Sequence, residues 1–281
     1  MKPIEQQTIL VTGATDGLGK QTALALARMD ATVLIHGRNP QRIETTLKEI
    51  QDATGNPHLE TFKADLSSLA EVRALAAEVQ SRHDWLDMLI NNAAVGSGML
   101  IGPKRELSQD GYELRFAVNY LAPFLLTHLL LPTLRASQPS RIINVGSIGQ
   151  SALHFDDIQF EHRYGGFEAY KRSKLALVMF TIDLADALKG EQITVNCVHP
   201  ASLMNTTMVR EAVPFPLTTV EEGLRSVMHL ATSPDLDNVS GEYFDQLRVG
   251  RAHSQAYDPA ARQKLQILSR ELVGLSDQQT A

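Results

Sequence analysis

The stretch TILVTGATDGLGKQTALALAR, residues 8–28, carries a short apolar run through a glycine cluster into a helical pattern. Gly13, Gly17 and Gly19 follow a G-x3-G-x-G spacing, in which the first glycine permits a tight turn, the second lets a phosphate approach, and the third lets helix and strand pack closely. The helix N-terminus would then offer free N–H groups and the positive end of its dipole to a pyrophosphate. This placement between strand and helix favours dinucleotide binding over a plain glycine turn.

Strand and helix patterns alternate along the rest of the chain. Apolar runs predict further strands at residues 32–36, 59–64, 86–91, 141–146, 193–198 and 241–245. Capping residues mark the helices between them, as where Asn39 and Pro40 begin one and Gly55 ends it. Strands that are apolar on both faces predict a Rossmann-type, doubly wound α/β fold, with a mostly parallel sheet of about seven strands covered by helices on both faces. The sequence 1–281 contains no linker, repeat or low-complexity tract, which predicts a single domain.

Composition excludes several classes of partner. The 281 residues include 26 basic and 32 acidic side chains, a formal net charge of −6 that gives no footprint for nucleic acid or an anionic membrane surface. The single cysteine, Cys197, lies in an apolar run and suggests a buried structural thiol in a reducing compartment. The N-terminus lacks a signal-peptide pattern, and the apolar stretch 120–132 is short and interrupted by Pro123 and His128. We therefore expect a cytoplasmic protein with no membrane span.

The end of the second strand, TVLIHGRN (32–39), bears on the choice of cofactor. Gly37 stands where an acidic residue would bond a ribose 2′-hydroxyl, and Arg38 follows, whose guanidinium can bind a 2′-phosphate. The pattern favours NADP(H), with NAD(H) possible, although Arg38 could also be an ordinary exposed arginine. His36 could assist or merely end the strand. Asp65, after the third strand, could bond the adenine amino group or cap the next helix.

The segment YKRSK (170–174) places Tyr170 and Lys174 on one helix face. Such a pair is often an ordinary surface feature, so its meaning depends on what lies around it. Ser147 follows the fifth strand, Asn119 lies in a helical stretch and Asn91 begins NNAA at the end of the fourth strand. Each also has a structural alternative, since the serine could cap a turn, Asn119 could satisfy backbone groups at a helix irregularity, and Asn91 could close a turn.

Taken together and in order, these motifs resemble those of the short-chain dehydrogenase/reductase family. The matching motifs are TGATDGLG (12–19), Asp65-Leu66, NNAA (91–94), Asn119, Ser147, YKRSK (170–174) and HPASLMNT (199–206). They cover nearly the whole chain. The long segment after Ser147 and the tail around AYDPAAR (256–262) are similar to the retinol-dehydrogenase-like branch.

The resemblance implies an oxidoreductase that transfers hydride between nicotinamide and an alcohol/carbonyl substrate. Tyr170 would be the acid in reduction and the base in oxidation, although its ordinary pKa of about 10 is high for a base. Lys174 would favour the phenolate and bond the ribose hydroxyls. Ser147 would hold the substrate oxygen, and Asn119 would anchor a water linking Lys174 to solvent.

The resemblance also implies the residues that contact the cofactor. They are Gly13, Thr15, Asp16, Gly17, Leu18, Gly19, Arg38, Asp65, Leu66, Asn92, Ala93, Ala94, Tyr170, Lys174, Pro200, Ser202 and Thr206. Two departures stand out. The family often has NNAG where this chain has NNAA, and Pro200 is followed by Ala201 where glycine is common, so a left-handed backbone there would be strained.

Two regions without clear periodicity, 148–167 and 199–218, lie at the carboxyl ends of the fifth and sixth strands, where open α/β sheets bind ligands. Their apolar side chains predict an apolar small-molecule substrate, although many could be core residues: Leu153, Phe155, Phe160, Tyr164, Phe167, Leu203, Met204, Met208, Val213, Phe215 and Leu217. We expect 199–218 to be a mobile lid over the substrate.

Other functions fit the sequence less well. A sensor that binds NADP(H) without turnover is the main alternative, but it would not need the complete Tyr–Lys–Ser set. An epimerase or dehydratase usually has a larger substrate domain than the roughly 80 residues after the sixth strand. The histidines are scattered and predict no metal site. In this family, helices like those at about 106–135 and 168–189 often pair subunits, so a homo-oligomer (dimer or tetramer) is possible.

Overall fold

The computed structural model describes residues 1–96, 104–210 and 215–276. In these ranges the strands are β1 (Thr8–Val11), β2 (Thr32–Gly37), β3 (Leu59–Lys63), β4 (Met88–Asn91), β5 (Ser140–Val145), β6 (Ile193–His199), β7 (Tyr243–Asp245) and β8 (Arg248–Val249). They form one sheet in the order β3-β2-β1-β4-β5-β6-β7-β8. All pairings are parallel except the last, in which β8 runs antiparallel to β7.

The predicted fold class is confirmed, with one strand more than expected. The additional strand β8 turns back on β7 through Gln246 and Leu247, and Gln246 adopts φ +57°, a left-handed conformation suited to a two-residue hairpin turn. Its two residues are both exposed, so no apolar run marks the strand in the sequence.

The helices are α1 (Gly17–Ala27), α2 (Pro40–Thr54), α3 (Leu69–Arg82), α4 (Leu114–Phe116), α5 (Ala122–Ser137), α6 (Gly166–Ala187), α7 (Thr207–Arg210), α8 (Val220–Thr232) and α9 (Pro259–Val273). The predicted caps of α2 are confirmed, since the Asn39 side chain accepts from the Arg42 N–H and Gly55 is left-handed with φ +70°. The helix expected from about 106 begins only at Leu114, and a π-helical turn, Ala117–Leu121, joins α4 to α5.

Alternating strand residues pack into two apolar layers on opposite faces of the sheet. In β1, Ile9 and Val11 face a core that includes residues of α1 and α8, whereas Leu10 faces the larger core formed with α3, α5 and α6. Both faces are therefore covered, as the continuous apolar strands predict. Each fully buried leucine or isoleucine of these layers contributes about 1.5–3 kcal/mol relative to leaving it exposed.

The continuous helical segment Leu114–Ser137 is longer than the apolar stretch predicted at 120–132. Its 24 residues are long and apolar enough to cross a membrane, but 89% of its most apolar window is buried inside the protein. Leu125, Leu126 and Leu130 belong to the larger core. The segment thus has a packing partner along most of its length, as a core helix does.

The order of the strands creates a crevice at one edge of the sheet. β1 lies between β2 and β4, so the crossovers after β1 and after β3 lead to opposite sides of it. Ligands of doubly wound sheets bind outside the carboxyl ends of the strands at such a switch point. The glycine loop after β1 and the NNAA loop after β4 lie side by side there.

Candidate active site

Glycine is required at the three predicted positions of the loop between β1 and α1. Gly13 has φ +64°, and a Cβ atom there would lie 2.8 Å from the Cα of Ala93. Gly17 is also left-handed, with φ +49°, and a Cβ on Gly19 would collide with the Asn92 side chain and the Gly13 carbonyl. Backbone, rather than side chains, therefore forms this surface at the N-terminus of α1. Such a cradle fits a pyrophosphate.

His36 fastens the glycine loop to the sheet. The Gly13 N–H donates to its Nδ1 at 3.1 Å, and its Nε2 lies 3.1 Å from the Ala64 carbonyl oxygen. Because a carbonyl can only accept, Nε2 carries the proton and the imidazole is neutral. Burial lowers the pKa of His36 to about 4, against the opposing effects of the Ala64 hydrogen bond and the Asp65 charge. The side chain therefore does more than end β2.

The loop after β4 is joined directly to β1. The N–H groups of Asn92 and Ala93 donate to Thr12 Oγ1 at 2.9 and 3.1 Å, and Asn92 Nδ2 donates to the Thr12 carbonyl at 2.9 Å. The Asn92 side chain is thus committed to the protein. Ala94 follows at the partly exposed edge of the crevice. Ala93 lies against Gly13, so small residues are needed at this point, and alanine meets that need.

Two of the residues predicted to contact the cofactor have buried side chains. The Leu18 and Leu66 side chains are buried in opposite apolar layers. Asp65 is partly exposed, and its Oδ1 accepts from the Ser67 N–H at 2.9 Å, while Glu71 reaches back to accept from the Asp65 N–H. The carboxylate of Asp65 thus shapes the start of α3, and its predicted adenine contact stays a prediction.

Charged groups gather where β2 meets the glycine loop. A Cβ on Gly37 would lie 2.6 Å from the Thr15 side chain, so the end of β2 packs on this loop, and the exposed Arg38 follows directly. Arg42, in the first turn of α2, forms a 2.9 Å ion pair with Asp16. Burial alone would raise the pKa of Asp16, but hydrogen bonds from Arg42 and Thr207 lower it. Arg42 therefore offsets the one acidic side chain of the loop.

Ser147, Tyr170 and Lys174 come together at the carboxyl end of β5. The Ser147 side chain lies near enough to Tyr170 to influence the pKa of the phenol, and the Lys174 Nζ lies 5.8 Å from the centre of the tyrosine ring. The Gly149 N–H donates to Ser147 Oγ at 3.0 Å, so the serine hydroxyl keeps its own proton to donate. Burial raises the pKa of Tyr170, and the Ser147 side chain opposes this effect.

The ammonium group of Lys174 is held inside the protein. Its Nζ donates to the Val145 carbonyl at 2.8 Å, and burial lowers its pKa to about 8, with the nearby Cys197 acting in the opposite direction. The same burial raises the pKa of Cys197 to about 12, so its thiol stays protonated, as a structural cysteine should. Lys174 thus carries its positive charge at neutral pH, and it loses its proton at only slightly higher pH.

Asn119 lies in the π-helical turn, a feature often found at functional sites. Its side chain accepts from the Val95 N–H at 2.7 Å and donates to the Val95 carbonyl and to Ser173 Oγ. Ser173 in turn donates to the Tyr170 carbonyl. The Asn119 amide therefore joins the loop after β4 to helix α6, and its predicted contact with a water beside Lys174 stays a prediction.

The loop after β6 crosses towards the glycine loop. Ser226 Oγ donates to the Pro200 carbonyl at 2.7 Å, and Ser202 Oγ lies 3.1 Å from His199 Nε2. A Cβ on Gly17 would lie 3.1 Å from the Thr206 side chain, which places the two loops in contact. The strain expected at Ala201 does not arise, because the left-handed residue of this loop is Leu203, with φ +50°.

The lid predicted at 199–218 is only partly covered by the structure. Residues 211–214, including Val213 of the predicted apolar set, lie outside the described residues. Of that set, Leu153 and Phe160 are buried core side chains, whereas Phe167, Phe215 and Leu217 are exposed. Apolar composition alone does not separate the two groups.

Three residues at the site were not predicted from the sequence. Arg42 is spaced four residues from Arg38 at a helix start, a spacing that could have pointed to it. Tyr243 on β7 and Gln150 after β5 both donate to the carbonyl of Ser147. Nothing local marks either of these two. Over the described ranges, no three His, Cys, Asp or Glu side chains are grouped so that they could hold a metal ion.

Comparisons with known proteins agree with this geometry. A family model described as short chain dehydrogenase matches residues 7–216. Retinol dehydrogenase 13 of Mus musculus is 38% identical over 290 residues, covering 97% of this chain and 85% of the mouse protein. The crystal structure of an uncharacterized protein from Mycobacterium paratuberculosis has a TM-score of 0.78 at 29% identity, over 96% of this chain and 94% of that one.

A second solved structure bears on the cofactor. A short-chain dehydrogenase from Escherichia coli CFT073, complexed with NADPH, is 28% identical, with a TM-score of 0.70 over 86% of this chain and 97% of its own. The predicted resemblance is confirmed by these matches. The chain belongs to the short-chain dehydrogenase/reductase family of oxidoreductases, in its retinol-dehydrogenase-like branch.

Proposed function

We propose that the protein is an NADP(H)-dependent oxidoreductase that interconverts an alcohol and a carbonyl group on an apolar small molecule. The observation that carries the proposal is the convergence of Ser147, Tyr170 and Lys174 at the carboxyl end of β5, next to the glycine cradle. When bound, the nicotinamide cofactor supplies or accepts the hydride. The protein's own groups position the substrate oxygen and move its proton.

Tyr170 is the proton donor in reduction and the acceptor in oxidation. Burial keeps its phenol protonated at neutral pH, which suits the donor role. Ser147 donates its hydroxyl hydrogen to the substrate oxygen and so holds it within reach of the phenol. As the phenol loses its proton, the ammonium of Lys174 stabilises the negative charge that develops.

Lys174 also holds the ribose of the cofactor. Its ammonium group receives its proton from solvent by a path past Asn119. Its pKa of about 8 lies near neutral pH, so it can pass a proton at low cost. Asn119 holds the adjoining loop and helix in register through Val95 and Ser173. A water bound near this turn would complete the path to solvent.

Arg38 and Arg42 support a preference for NADP(H). Both lie where β2 and α2 meet the glycine loop, and no acidic residue ends β2 to bond a 2′-hydroxyl. A guanidinium binds a phosphate in a fork, which Lys cannot reproduce. The likeness to a dehydrogenase complexed with NADPH agrees with this preference.

The surroundings of the site support an apolar substrate. Phe167 lies one helical turn before Tyr170 and is 47% exposed, and Ile148, directly after Ser147, is also exposed. Phe215 and Leu217, on the segment proposed as a lid, are 78% and 72% exposed. Relatives named retinol dehydrogenase, after an apolar alcohol, favour the same substrate class.

The cytoplasmic location and the homo-oligomer stay predictions. Cell fractionation tests the first and light scattering tests the second.

An activity screen tests the proposal. The purified protein is assayed with aldehydes, ketones and alcohols of increasing chain length, each with NADPH or NADH, while cofactor fluorescence measures binding separately. We expect turnover with NADPH that improves with apolar chain length. In Tyr170→Phe, kcat should fall by about 10²–10⁴-fold with cofactor affinity retained. Cofactor binding without turnover of any carbonyl would favour a sensor instead.

A further inference from the structure

The backbone of Ser147 is held by two donors from outside β5. Tyr243 Oη donates to the Ser147 carbonyl at 3.2 Å, and Gln150 Nε2 donates to the same oxygen at 2.8 Å. A carbonyl oxygen has two lone pairs, so both are used. On the preceding side, the Gly146 N–H donates to the Val198 carbonyl at 2.8 Å. The peptide unit that follows Ser147 and the one that precedes Gly146 are therefore held.

This arrangement extends to the segment that follows β8. The other end of the Gln150 amide accepts from the His253 N–H at 2.8 Å. Gln255 accepts from the Leu153 N–H at 2.6 Å and donates to the Leu153 carbonyl at 3.1 Å. Gln150 and Leu153 are thus bonded to His253 and Gln255, about 100 positions later in the chain.

We propose that Tyr243 and Gln150 are positioning residues that aim the Ser147 hydroxyl at the substrate oxygen, with residues 253–255 holding Gln150 in place. The inference rests on the proposed function, in which Ser147 bonds that oxygen. Both side chains bond the serine carbonyl, so each acts through the serine. The hydroxyl pivots on the serine Cβ, and its reach depends on the orientation of the serine backbone, whose carbonyl both side chains hold. An error of about 1 Å in such a group can cost about 10²-fold in rate.

Tyr243→Phe and Gln150→Met test this role, because each removes the donor and keeps most of the side-chain volume. Tyr112→Phe is the matched control, since its hydroxyl also donates to a backbone carbonyl, that of Leu272, at 2.8 Å and away from the site. Three quantities are measured: kcat and KM for a carbonyl substrate, NADPH affinity by fluorescence, and amide hydrogen exchange over residues 147–153.

We expect Tyr243→Phe to lower kcat about tenfold with NADPH affinity unchanged, and to speed exchange at residues 147–153. Gln150→Met should lower kcat further, because it also loses the bond to His253. The double variant should lose less than the product of the two single losses, since both donors serve one oxygen. Tyr112→Phe should leave both kcat and the exchange rate unchanged.

Exchange and turnover separate this inference from the function on which it rests. If exchange over 147–153 is the same in Tyr243→Phe as in the wild type, the positioning role is wrong, whatever the turnover. The same conclusion follows if kcat in Tyr243→Phe matches that of Tyr112→Phe. A wild type that binds NADPH but turns over no carbonyl refutes the proposed function, and the exchange data still decide whether the two side chains hold Ser147.

Discussion

Acid should loosen the cofactor end of the protein through His36. The imidazole is neutral because Nδ1 must accept from the Gly13 N–H while Nε2 donates to the Ala64 carbonyl. Protonation would put a hydrogen on Nδ1 and break the bond to the glycine loop. The non-titrating variant His36→Gln offers a comparable acceptor and donor, and we expect it to fold at neutral pH with similar stability.

The size of the effect follows from the two pKa values. The folded pKa of about 4 lies below the ordinary 6.5, so the unfolded chain binds more protons between these values. The contribution of His36 is fully present above about pH 6.5 and is lost as the pH falls towards 4. By linkage, the loss is about 2 kcal/mol between pH 7 and pH 5 and about 3 kcal/mol by pH 4. His128 has a similarly lowered pKa, of about 4, and adds a comparable loss.

Urea unfolding followed by circular dichroism at pH 7, 6 and 5 measures how much unfolding free energy the wild type and His36→Gln each lose. His36→Gln should lose about 2 kcal/mol less stability than the wild type over this range, since His128 and the carboxylates are common to both. His58→Gln, which replaces an exposed histidine just before β3, is the control and should follow the wild type. NADPH affinity should fall with pH in the wild type more steeply than in His36→Gln. Parallel stability curves for wild type and His36→Gln would refute the reasoning.

Three further predictions concern the cofactor, the lid and the core. Arg38→Asp should weaken NADPH binding and strengthen NADH binding in fluorescence titrations, and a wild type without preference for NADPH would contradict this role of Arg38. Proteolysis within 201–217 should slow only when cofactor and substrate are both present, so equal cleavage with and without ligands counts against a lid. Arg115→Met should cost about 3–5 kcal/mol in urea unfolding, because it removes the cationic partner of the buried Glu113, whereas Arg82→Met, at an exposed ion pair, should cost about 1 kcal/mol or less.

The parts of the site that residue spacing alone predicted are the parts built locally. The glycine loop takes its three glycines from one turn, and Tyr170 and Lys174 come from one turn of α6. In each case a short spacing is enough to fix which atoms meet, because the helix or the strand-to-helix turn sets their geometry. The same logic predicted the caps of α2 and failed for β8, whose two exposed residues leave no periodic pattern.

Tyr243, which sequence analysis missed, acts between distant segments. Tyr243 reaches Ser147 across 96 positions, and it does so because β7 lies next to β6 and β6 next to β5. Only the strand order brings those positions together, and strand order is not written in any one stretch of the chain. Asn119 was predicted from the sequence, but its hydrogen-bond partners were not. Those partners, Val95 and Ser173, follow from the π-helical turn.

Substrate recognition should therefore be harder to predict than cofactor binding in this protein, for a physical reason. The cofactor meets backbone, and the need for backbone to come close leaves glycines as a mark in the sequence. The proposed substrate side has apolar side chains, and nothing in the sequence distinguishes Phe160, which is buried, from Phe215, which is exposed. What distinguishes them is which face of the fold each side chain meets. A change of substrate would thus require few changes in the motifs. We expect substitutions that alter substrate choice to act at the exposed residues Ile148, Phe167 and Leu217.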